Sequence, residues 1–164
     1  MKAAFLDRDG TLCRDYPDAE WARVKEPELL PGAAAALRTL RALGYEIIIV
    51  TNQYTIGEGV ITLAQYQAFA DALLQRLRAA SAEVLDTFYC PHARAAGCGC
   101  CKPRTGLIRQ ALAKYPEIDL AASFLAGDSP VDRELARRCG LKFYGVDVRH
   151  SLYDIAASLK EEAP

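Results

Sequence analysis

The sequence of this chain predicts an α/β fold in which a parallel sheet carries helices on both faces. Short, almost wholly apolar segments alternate with longer segments of helical spacing along its 164 residues. Strands that are apolar throughout are typical of parallel sheets covered on both sides. Polar clusters directly follow three of the apolar segments, as in sheets that bind ligands at the carboxyl ends of their strands. The length favours a single domain over residues 1–164.

Each predicted element has a local reason. The segment 46–50 is rich in β-branched residues and ends at Thr51-Asn52, which indicates a buried strand. The segment 62–80 carries Leu, Tyr and Phe at helical spacing along one side, and Pro31-Gly32 and Gly44 bracket a shorter helix. In chain order, strands are predicted at 3–6, 46–50, 84–89, 123–126 and 141–146, and helices at 33–43, 62–80, 105–114, 131–139 and 152–160.

Composition and charge exclude several classes of partner. Hydrophobic residues make up 51% and charged residues 25%, as in an ordinary globular protein, and the formal net charge of -1 favours neither nucleic acid nor an anionic membrane. No apolar run approaches the length that crosses a membrane. The first residues reach a charged cluster too early for a signal peptide. We therefore predict a cytoplasmic monomer.

The first polar cluster, Asp7-Arg8-Asp9-Gly10-Thr11, directly follows the first predicted strand. Asp and Gly are also common in ordinary turns. At the end of a buried strand, however, the first carboxylate can attack phosphorus, and a carboxyl two residues on can protonate the leaving alcohol and later activate water. Crowded carboxylates raise one pKa, which would keep Asp9 protonated for the first step. Mg²⁺ would offset the remaining negative charge.

Four segments in order resemble the motifs of the haloacid dehalogenase (HAD) superfamily phosphatases. They are 5–11, Thr51-Asn52-Gln53, Lys102-Pro103 and the run from Gly127-Asp128 to Asp132. The resemblance implies a Rossmannoid parallel sheet, without a large cap domain because no insertion is long enough. It also implies that Asp7 is the nucleophile and Asp9 the general acid/base.

The same resemblance assigns the remaining roles. Thr51 would hold the phosphoryl group, Lys102 would neutralise nucleophile and phosphate, and Asp128 would bind Mg²⁺ together with Asp7 and Asp9. Asn52 and Gln53 are predicted to contact the substrate, a small phosphorylated metabolite. Asp132 would orient the site, although an acid at a helix N-terminus is also favoured by the helix dipole.

Four of the six cysteines fall within a short segment, 90–101. Cys90 and His92, followed by Cys98 and Cys100, offer four soft ligands, which suits a closed tetrahedral Zn²⁺ site of structural type. Clustered cysteines in a reducing compartment suggest metal rather than disulfides. The alternative, free buried cysteines beside a surface histidine, suits the isolated Cys13 and Cys139 better.

Within the superfamily, this cluster followed by Lys-Pro resembles the heptose 1,7-bisphosphate phosphatases and the histidinol-phosphate phosphatases. Cys101 stands where those families carry an arginine that contacts substrate, and Arg104 is a candidate to replace it. The predicted substrate is D-glycero-D-manno-heptose 1,7-bisphosphate, in lipopolysaccharide biosynthesis. Histidinol phosphate is the alternative substrate, and a non-catalytic zinc-stabilised binding module is the alternative of another class.

One loop is a further candidate for substrate choice. Residues 15–25, with Trp21, follow the first motif before the first predicted helix. Trp21 has two interpretations here: a contact for the substrate, or an exposed loop side chain that covers the edge of the core.

Overall fold

A computed structural model describes residues 1–163 of the chain and contains five parallel strands in one sheet. The strands are β1 (Lys2–Leu6), β2 (Tyr45–Asn52), β3 (Asp86–Cys90), β4 (Phe124–Gly127) and β5 (Lys142–Gly145). Their spatial order is β3-β2-β1-β4-β5, so β1 lies in the centre between β2 and β4. The predicted parallel sheet is confirmed. Pro164, the last residue of the predicted single domain, lies outside the described residues.

The helices of the described residues connect these strands. They are α1 (Ala33–Ala42), α2 (Tyr54–Gly57), α3 (Leu63–Ala79), α4 (Gly106–Lys114), α5 (Pro130–Cys139) and α6 (Leu152–Glu161), with 3-10 helices at Asp18–Arg23 and Arg94–Ala96. Capping boxes fix the starts of α3 at Thr62 and of α5 at Ser129. The predicted helices and strands are all present, whereas α2 and the 3-10 helices are not predicted, because segments of three to six residues are too short to show a helical periodicity.

Two cores lie on opposite faces of the sheet, and alternate residues of β1 point into them. Ala4 and Leu6 join a core built with α1, α3 and α6, while Ala3 and Phe5 join one built with α4 and α5. Burial on both faces explains why the strand is apolar throughout. Between residues 1 and 163 no inserted unit of cap-domain size interrupts this order, as predicted.

None of the helices in residues 1–163 combines the length and the apolar character needed to cross a bilayer. The cytoplasmic location and the monomeric state stay predictions.

Candidate active site

Three neighbouring strands bring the predicted polar clusters together at one edge of the sheet. Because β2, β1 and β4 are adjacent, Thr51, Asp7 and Asp128 converge where these strands end. They line a cavity of about 180 Å³. The other residues that line it are Asp9, Asp15, Asp18, Trp21, Asn52, Gln53, Tyr54, Thr55, Lys102, Ser129 and Val131.

Lys102 supplies a buried positive charge to this cavity. Its ammonium group donates to Oδ1 of Asp7 and Oδ1 of Asp132, at 2.6 Å each, and to the carbonyl of Val50 at 3.0 Å. Burial alone would lower the pKa of Lys102, but the two carboxylates raise it, so the side chain stays cationic. The Asn52 amide binds the Lys102 main chain at both its N–H (2.8 Å) and its carbonyl (3.1 Å). Asn52 therefore positions Lys102, and its contact with substrate stays a prediction.

Asp7 is the carboxyl group on which the negative charges of the site converge. It is buried at the end of β1, and burial raises the pKa of Asp7 to about 7; Asp132 and Asp9 act in the same direction and Lys102 opposes them. The crowding of carboxylates that the sequence predicts is thus centred on Asp7, because the Asp9 side chain turns away toward Arg8.

Asp9 is held by a network of three side chains. Arg8 donates two bonds to it, from Nε to Oδ1 at 2.8 Å and from Nη2 to Oδ2 at 2.9 Å. Gln53 donates from Nε2 to Oδ2 of Asp9 at 2.8 Å and to Oγ1 of Thr51 at 2.9 Å. The Cys13 thiol lies 3.6 Å from Oδ1. The two residues predicted to handle the proton and the phosphoryl group, Asp9 and Thr51, are therefore joined through Gln53.

Arg8 is itself buried in an aromatic surround. Its guanidinium lies 4.8 Å from the ring of Phe69, 5.4 Å from that of Trp21 and 5.6 Å from that of Tyr66. Arg8 and Trp21 are 2% and 8% exposed, so the expectation of an exposed loop tryptophan is wrong. The 3-10 helix that starts at Asp18 carries Trp21 into the core edge-on against Phe69, and its remaining surface lines the cavity. Trp21 therefore covers the edge of the core, and its contact with substrate stays a prediction.

One group of carboxylates could hold a metal ion. An oxygen from each of Asp7, Asp128 and Asp132 lies within 4.8 Å of the others. Gly10 has φ +80°, and a β-carbon there would overlap the carboxylate of Asp128, so glycine is required for the close approach of the two loops. Carboxylate oxygens suit a hard cation such as Mg²⁺.

The members of this group differ in exposure. Asp132 is fully buried, and its charge is compensated there, since Lys102 binds one oxygen and the Ser129 N–H and hydroxyl bind the other. Asp128 is more open, and partial burial raises its pKa. The Asp9 carboxylate, predicted to join Asp7 and Asp128, is not part of the group because it pairs with Arg8. Its role as a metal ligand stays a prediction.

A second group joins the four predicted soft ligands. Sγ of Cys90, Cys98 and Cys100 and Nδ1 of His92 lie between 3.1 and 3.6 Å apart in the five recorded pairs. Four tetrahedral ligands bound at about 2.0–2.3 Å are separated by about 3.3–3.8 Å, so the group fits a small tetrahedral ion. All six cysteines lie within residues 1–163, and all are free thiols there.

The thiols of this second group differ in the direction of their pKa shifts. Burial raises the pKa of Cys90 and of Cys100. For Cys98 burial acts in the same direction, but the N–H groups of Cys101 and Cys100 outweigh it and lower the pKa to about 6. This lowering favours the thiolate form of Cys98, which is the form that binds a metal ion.

The two residues predicted to contact the far part of the substrate lie elsewhere. Neither Cys101 nor Arg104 is among the residues that line the cavity. The Cys101 thiol points to the carbonyl of Lys102 at 3.6 Å, and Arg104 donates to the carbonyl of Cys98 at 2.7 Å. Their contact with substrate stays a prediction.

The rim of the cavity contains residues that the sequence motifs do not mark. Asp15 and Asp18 lie in the loop already predicted to affect substrate choice, and Tyr54 begins α2. The Tyr54 hydroxyl donates to Asp18 at 3.2 Å, across 36 residues of sequence. A pattern confined to neighbouring residues could not reveal this pair.

Comparison with known proteins agrees with this geometry. The family model of the haloacid dehalogenase-like hydrolases matches residues 11–137. A probable D-glycero-D-manno-heptose-1,7-bisphosphate 7-phosphatase of Thermoplasma acidophilum is 38% identical over 144 residues, which cover 87% of this chain and 88% of that protein. A D-glycero-alpha-D-manno-heptose-1,7-bisphosphate 7-phosphatase of Photorhabdus laumondii is 36% identical over 148 residues, covering 86% and 79%.

A solved structure is similar over nearly the whole chain. The D,D-heptose 1,7-bisphosphate phosphatase of B. bronchiseptica, complexed with magnesium and phosphate, superimposes with a TM-score of 0.86 at 28% identity. The match covers 99% of this chain and 100% of that one.

Proposed function

Because this chain belongs to the haloacid dehalogenase-like hydrolase family, we propose that it is a Mg²⁺-dependent phosphatase acting through an aspartyl-phosphate on Asp7. The favoured substrate is D-glycero-D-manno-heptose 1,7-bisphosphate. The observation that carries the proposal is the position of Asp7, which follows the central strand, lines the cavity and shares the Lys102 ammonium with Asp132.

In the first step, a carboxylate oxygen of Asp7 attacks phosphorus, and the bond from phosphorus to the ester oxygen breaks. Asp9 must carry a proton at this step and gives it to the oxygen of the departing alcohol, and the Arg8 guanidinium stabilises the carboxylate that remains. Oγ1 of Thr51 accepts a bond from Gln53, so its own hydrogen is free to bind a phosphoryl oxygen.

In the second step, Asp9 takes a proton from water, which attacks phosphorus and releases inorganic phosphate from Asp7. Lys102 faces Asp7 in both steps and offsets the negative charge of the phosphoryl group. The assembly of these groups in one cavity favours catalysis over a non-catalytic binding module.

Mg²⁺ fits the carboxylate group of this site, with Asp7 and Asp128 as the side chains that would hold it. When bound, it supplies positive charge against the phosphoryl oxygens and favours the ionised form of Asp7. Asp132 is engaged by Lys102 and Ser129 and would orient the site.

The Cys/His group is proposed to hold a structural Zn²⁺. Cys90, His92, Cys98 and Cys100 complete a four-ligand set, which leaves no position for a reacting water. The loop that they close leads directly to Lys102, so the ion would act on catalysis by fixing that loop.

Histidinol phosphate is the second candidate substrate, and one observation favours it. Lys102 is the only Lys or Arg among the residues that line the cavity, while Asp15 and Asp18 stand at the rim. That rim suits an amine or hydroxyl groups better than an unpaired second phosphate.

A kinetic screen tests the proposal. Phosphate release is measured with Mg²⁺ from heptose 1,7-bisphosphate, histidinol phosphate and p-nitrophenyl phosphate, with EDTA and Asp7→Asn as controls. We expect the highest kcat/KM for heptose 1,7-bisphosphate and no phosphate release without Mg²⁺. A higher kcat/KM for histidinol phosphate would replace the favoured substrate, and no release from any of the three would overturn the phosphatase.

A further inference from the structure

Arg94 lies inside the Cys/His loop, between His92 and Cys98, and contacts two residues that line the cavity, Asp18 and Tyr54. Its Nη2 donates to Oδ2 of Asp18 at 2.6 Å and to Oε2 of Glu58 at 2.8 Å. Its Nε donates to Oε1 of Glu58 at 2.9 Å, and its main-chain N–H to the same oxygen at 3.2 Å. One side chain thus connects three segments that lie far apart in sequence.

The same guanidinium covers an aromatic ring of the cavity wall. Its central carbon lies 4.0 Å from the ring centre of Tyr54, and the hydroxyl of that tyrosine donates to Asp18. Tyr54 and Asp18 line the cavity, whereas Arg94 and Glu58 do not. Arg94 therefore reaches the cavity only through the residues that it holds.

The backbone shows that the loop is seated on α2. A β-carbon at Gly57 would overlap the main chain of His92 and Ala93. Only glycine at this position lets the Cys/His loop lie against the helix that carries Tyr54, so the contact of loop and wall does not depend on Arg94 alone.

The charges at the rim give this contact a consequence for binding. The carboxylates of Asp15 and Asp18 face a cavity whose Lys and Arg lining consists of Lys102 alone. Arg94 offsets the charge of Asp18, and its hydrogen bonds lower the pKa of Glu58, which keeps that partner ionised. Exposed ion pairs add little to stability, but a planar guanidinium with two carboxylate partners and a ring beneath it fixes their relative positions.

We propose that Arg94 is a positioning residue for substrate selection: it holds the wall formed by Tyr54 and Asp18 and offsets its negative charge, so that an anionic sugar phosphate can pass. The proposal rests on the phosphatase function proposed above. It assigns a second role to the Cys/His loop, because Arg94 of that loop holds two residues that line the cavity, Asp18 and Tyr54.

The test compares two substrates in Arg94→Ala. We expect KM for heptose 1,7-bisphosphate to rise roughly fivefold to tenfold, with kcat within about twofold of wild type. KM for p-nitrophenyl phosphate, which has no second phosphate, should change less than about twofold. Arg94→Lys should recover part of the loss, because it restores the charge without the planar fork.

Arg137→Ala is the matched control, since the exposed Arg137 also makes two bonds to one glutamate, the half-buried Glu134, which does not line the cavity. It should change neither KM. Zinc content is measured for every variant, and Glu58→Gln removes the charge of a partner of Arg94 while leaving the four Cys/His ligands and the residues that line the cavity unchanged. If Arg94→Ala loses zinc, Glu58→Gln should still raise KM for the bisphosphate, because Arg94 without this carboxylate no longer holds Tyr54 and Asp18 in place.

Equal KM values in wild type and Arg94→Ala with zinc retained would overturn the inference, as would an equal rise for both substrates. In the event that Arg94→Ala loses zinc, an unchanged KM in Glu58→Gln would do the same. A wild-type enzyme that releases no phosphate from either substrate would refute the phosphatase itself, and the inference with it.

Discussion

The two candidate metal groups of this chain are assembled in different ways. Asp7 and Asp128 are separated by 121 residues and meet only because β1 and β4 are neighbours in the sheet. Cys90 and Cys100 are ten residues apart and meet within a single loop. The carboxylate group therefore depends on the whole fold, whereas the loop depends on the ion it is proposed to bind.

Burial adds to this contrast. The carboxylate group is compensated inside the protein, because Lys102 lies between Asp7 and Asp132 with its side chain 2% exposed. The Cys/His group lies partly at the surface, with His92 exposed and Cys98 half-buried. Substitutions in the carboxylate group should lower the catalytic rate while the fold is retained. Substitutions in the Cys/His group should lower stability first.

The largest expected effect is that of Asp7→Asn. An amide cannot form the aspartyl-phosphate, so kcat should fall by at least about a hundredfold, as expected for loss of a nucleophile. Asp132 still pairs with Lys102 in this variant, so the thermal midpoint should stay close to that of wild type. Calorimetry and phosphate release together check both expectations, and activity above roughly one hundredth of wild type would refute the covalent mechanism.

Asp9→Asn should be next in size and should differ from Asp7→Asn in stability. Loss of the general acid lowers the rate by about 10²–10⁴ for a sugar phosphate and by less for p-nitrophenyl phosphate, whose leaving group needs little protonation. The variant also leaves the buried Arg8 guanidinium without its carboxylate, which is destabilising by about 3–5 kcal/mol.

Single-turnover kinetics with both substrates, at a temperature well below the melting point of the variant, separate the two effects. Equal losses for the two substrates in the first step would argue against Asp9 as the acid. A thermal midpoint unchanged from wild type would contradict the role assigned to the Arg8 pair.

Cys98→Ser removes a ligand of the Cys/His group, and it should therefore lower stability first and activity second. We expect loss of zinc, a thermal midpoint lowered by several degrees or more, and a secondary decrease in activity as Lys102 loses its position. Elemental analysis and calorimetry check this against wild type purified without chelator. If wild type purified in this way carries no zinc, the proposed structural Zn²⁺ is wrong.

The contrast between the two groups also shows what the sequence could predict. The residues 7, 51 and 128 each end or follow an apolar strand, so their convergence follows from the order of the sheet. The ligands of the Cys/His group are marked by their spacing within one segment. The spacing of the Cys/His ligands can be read within one short segment. The strand ends can each be read locally as well, and the repeating α/β pattern then predicts that they lie at the same edge of the sheet.

Contacts between loops carry no such signal. Arg94 and Asp18 lie 76 residues apart, and each is an ordinary charged loop residue in the sequence. The aromatic surround of Arg8 draws on Phe69 of α3 and on Trp21, which the sequence leaves in a loop. Such pairs depend on how loops pack after the sheet has formed.

The smallest expected effect concerns Cys101, which lies between Cys100 and Lys102 in the chain and belongs to neither metal group. Its thiol is outside the four-ligand set and points to the carbonyl of Lys102, so Cys101→Arg should keep its zinc. A guanidinium can bind a second phosphate through two charge-assisted bonds, which a thiol cannot. KM for heptose 1,7-bisphosphate should therefore fall by about threefold to tenfold, while KM for a monophosphate stays constant.

Arg104→Ala is the counterpart of this variant. It tests whether Arg104 supplies the contact to the second phosphate that the Cys101 thiol cannot make. In the structure Arg104 is engaged with the carbonyl of Cys98, so the variant raises KM for the bisphosphate by roughly tenfold only if Arg104 leaves that carbonyl for the substrate. Zinc content is measured alongside both KM values, because a loss of zinc would place the effect in the loop. If both variants keep zinc and neither KM changes, neither position 101 nor Arg104 supplies a partner for the second phosphate, and a monophosphate such as histidinol phosphate becomes the better substrate for a site whose rim carries Asp15 and Asp18.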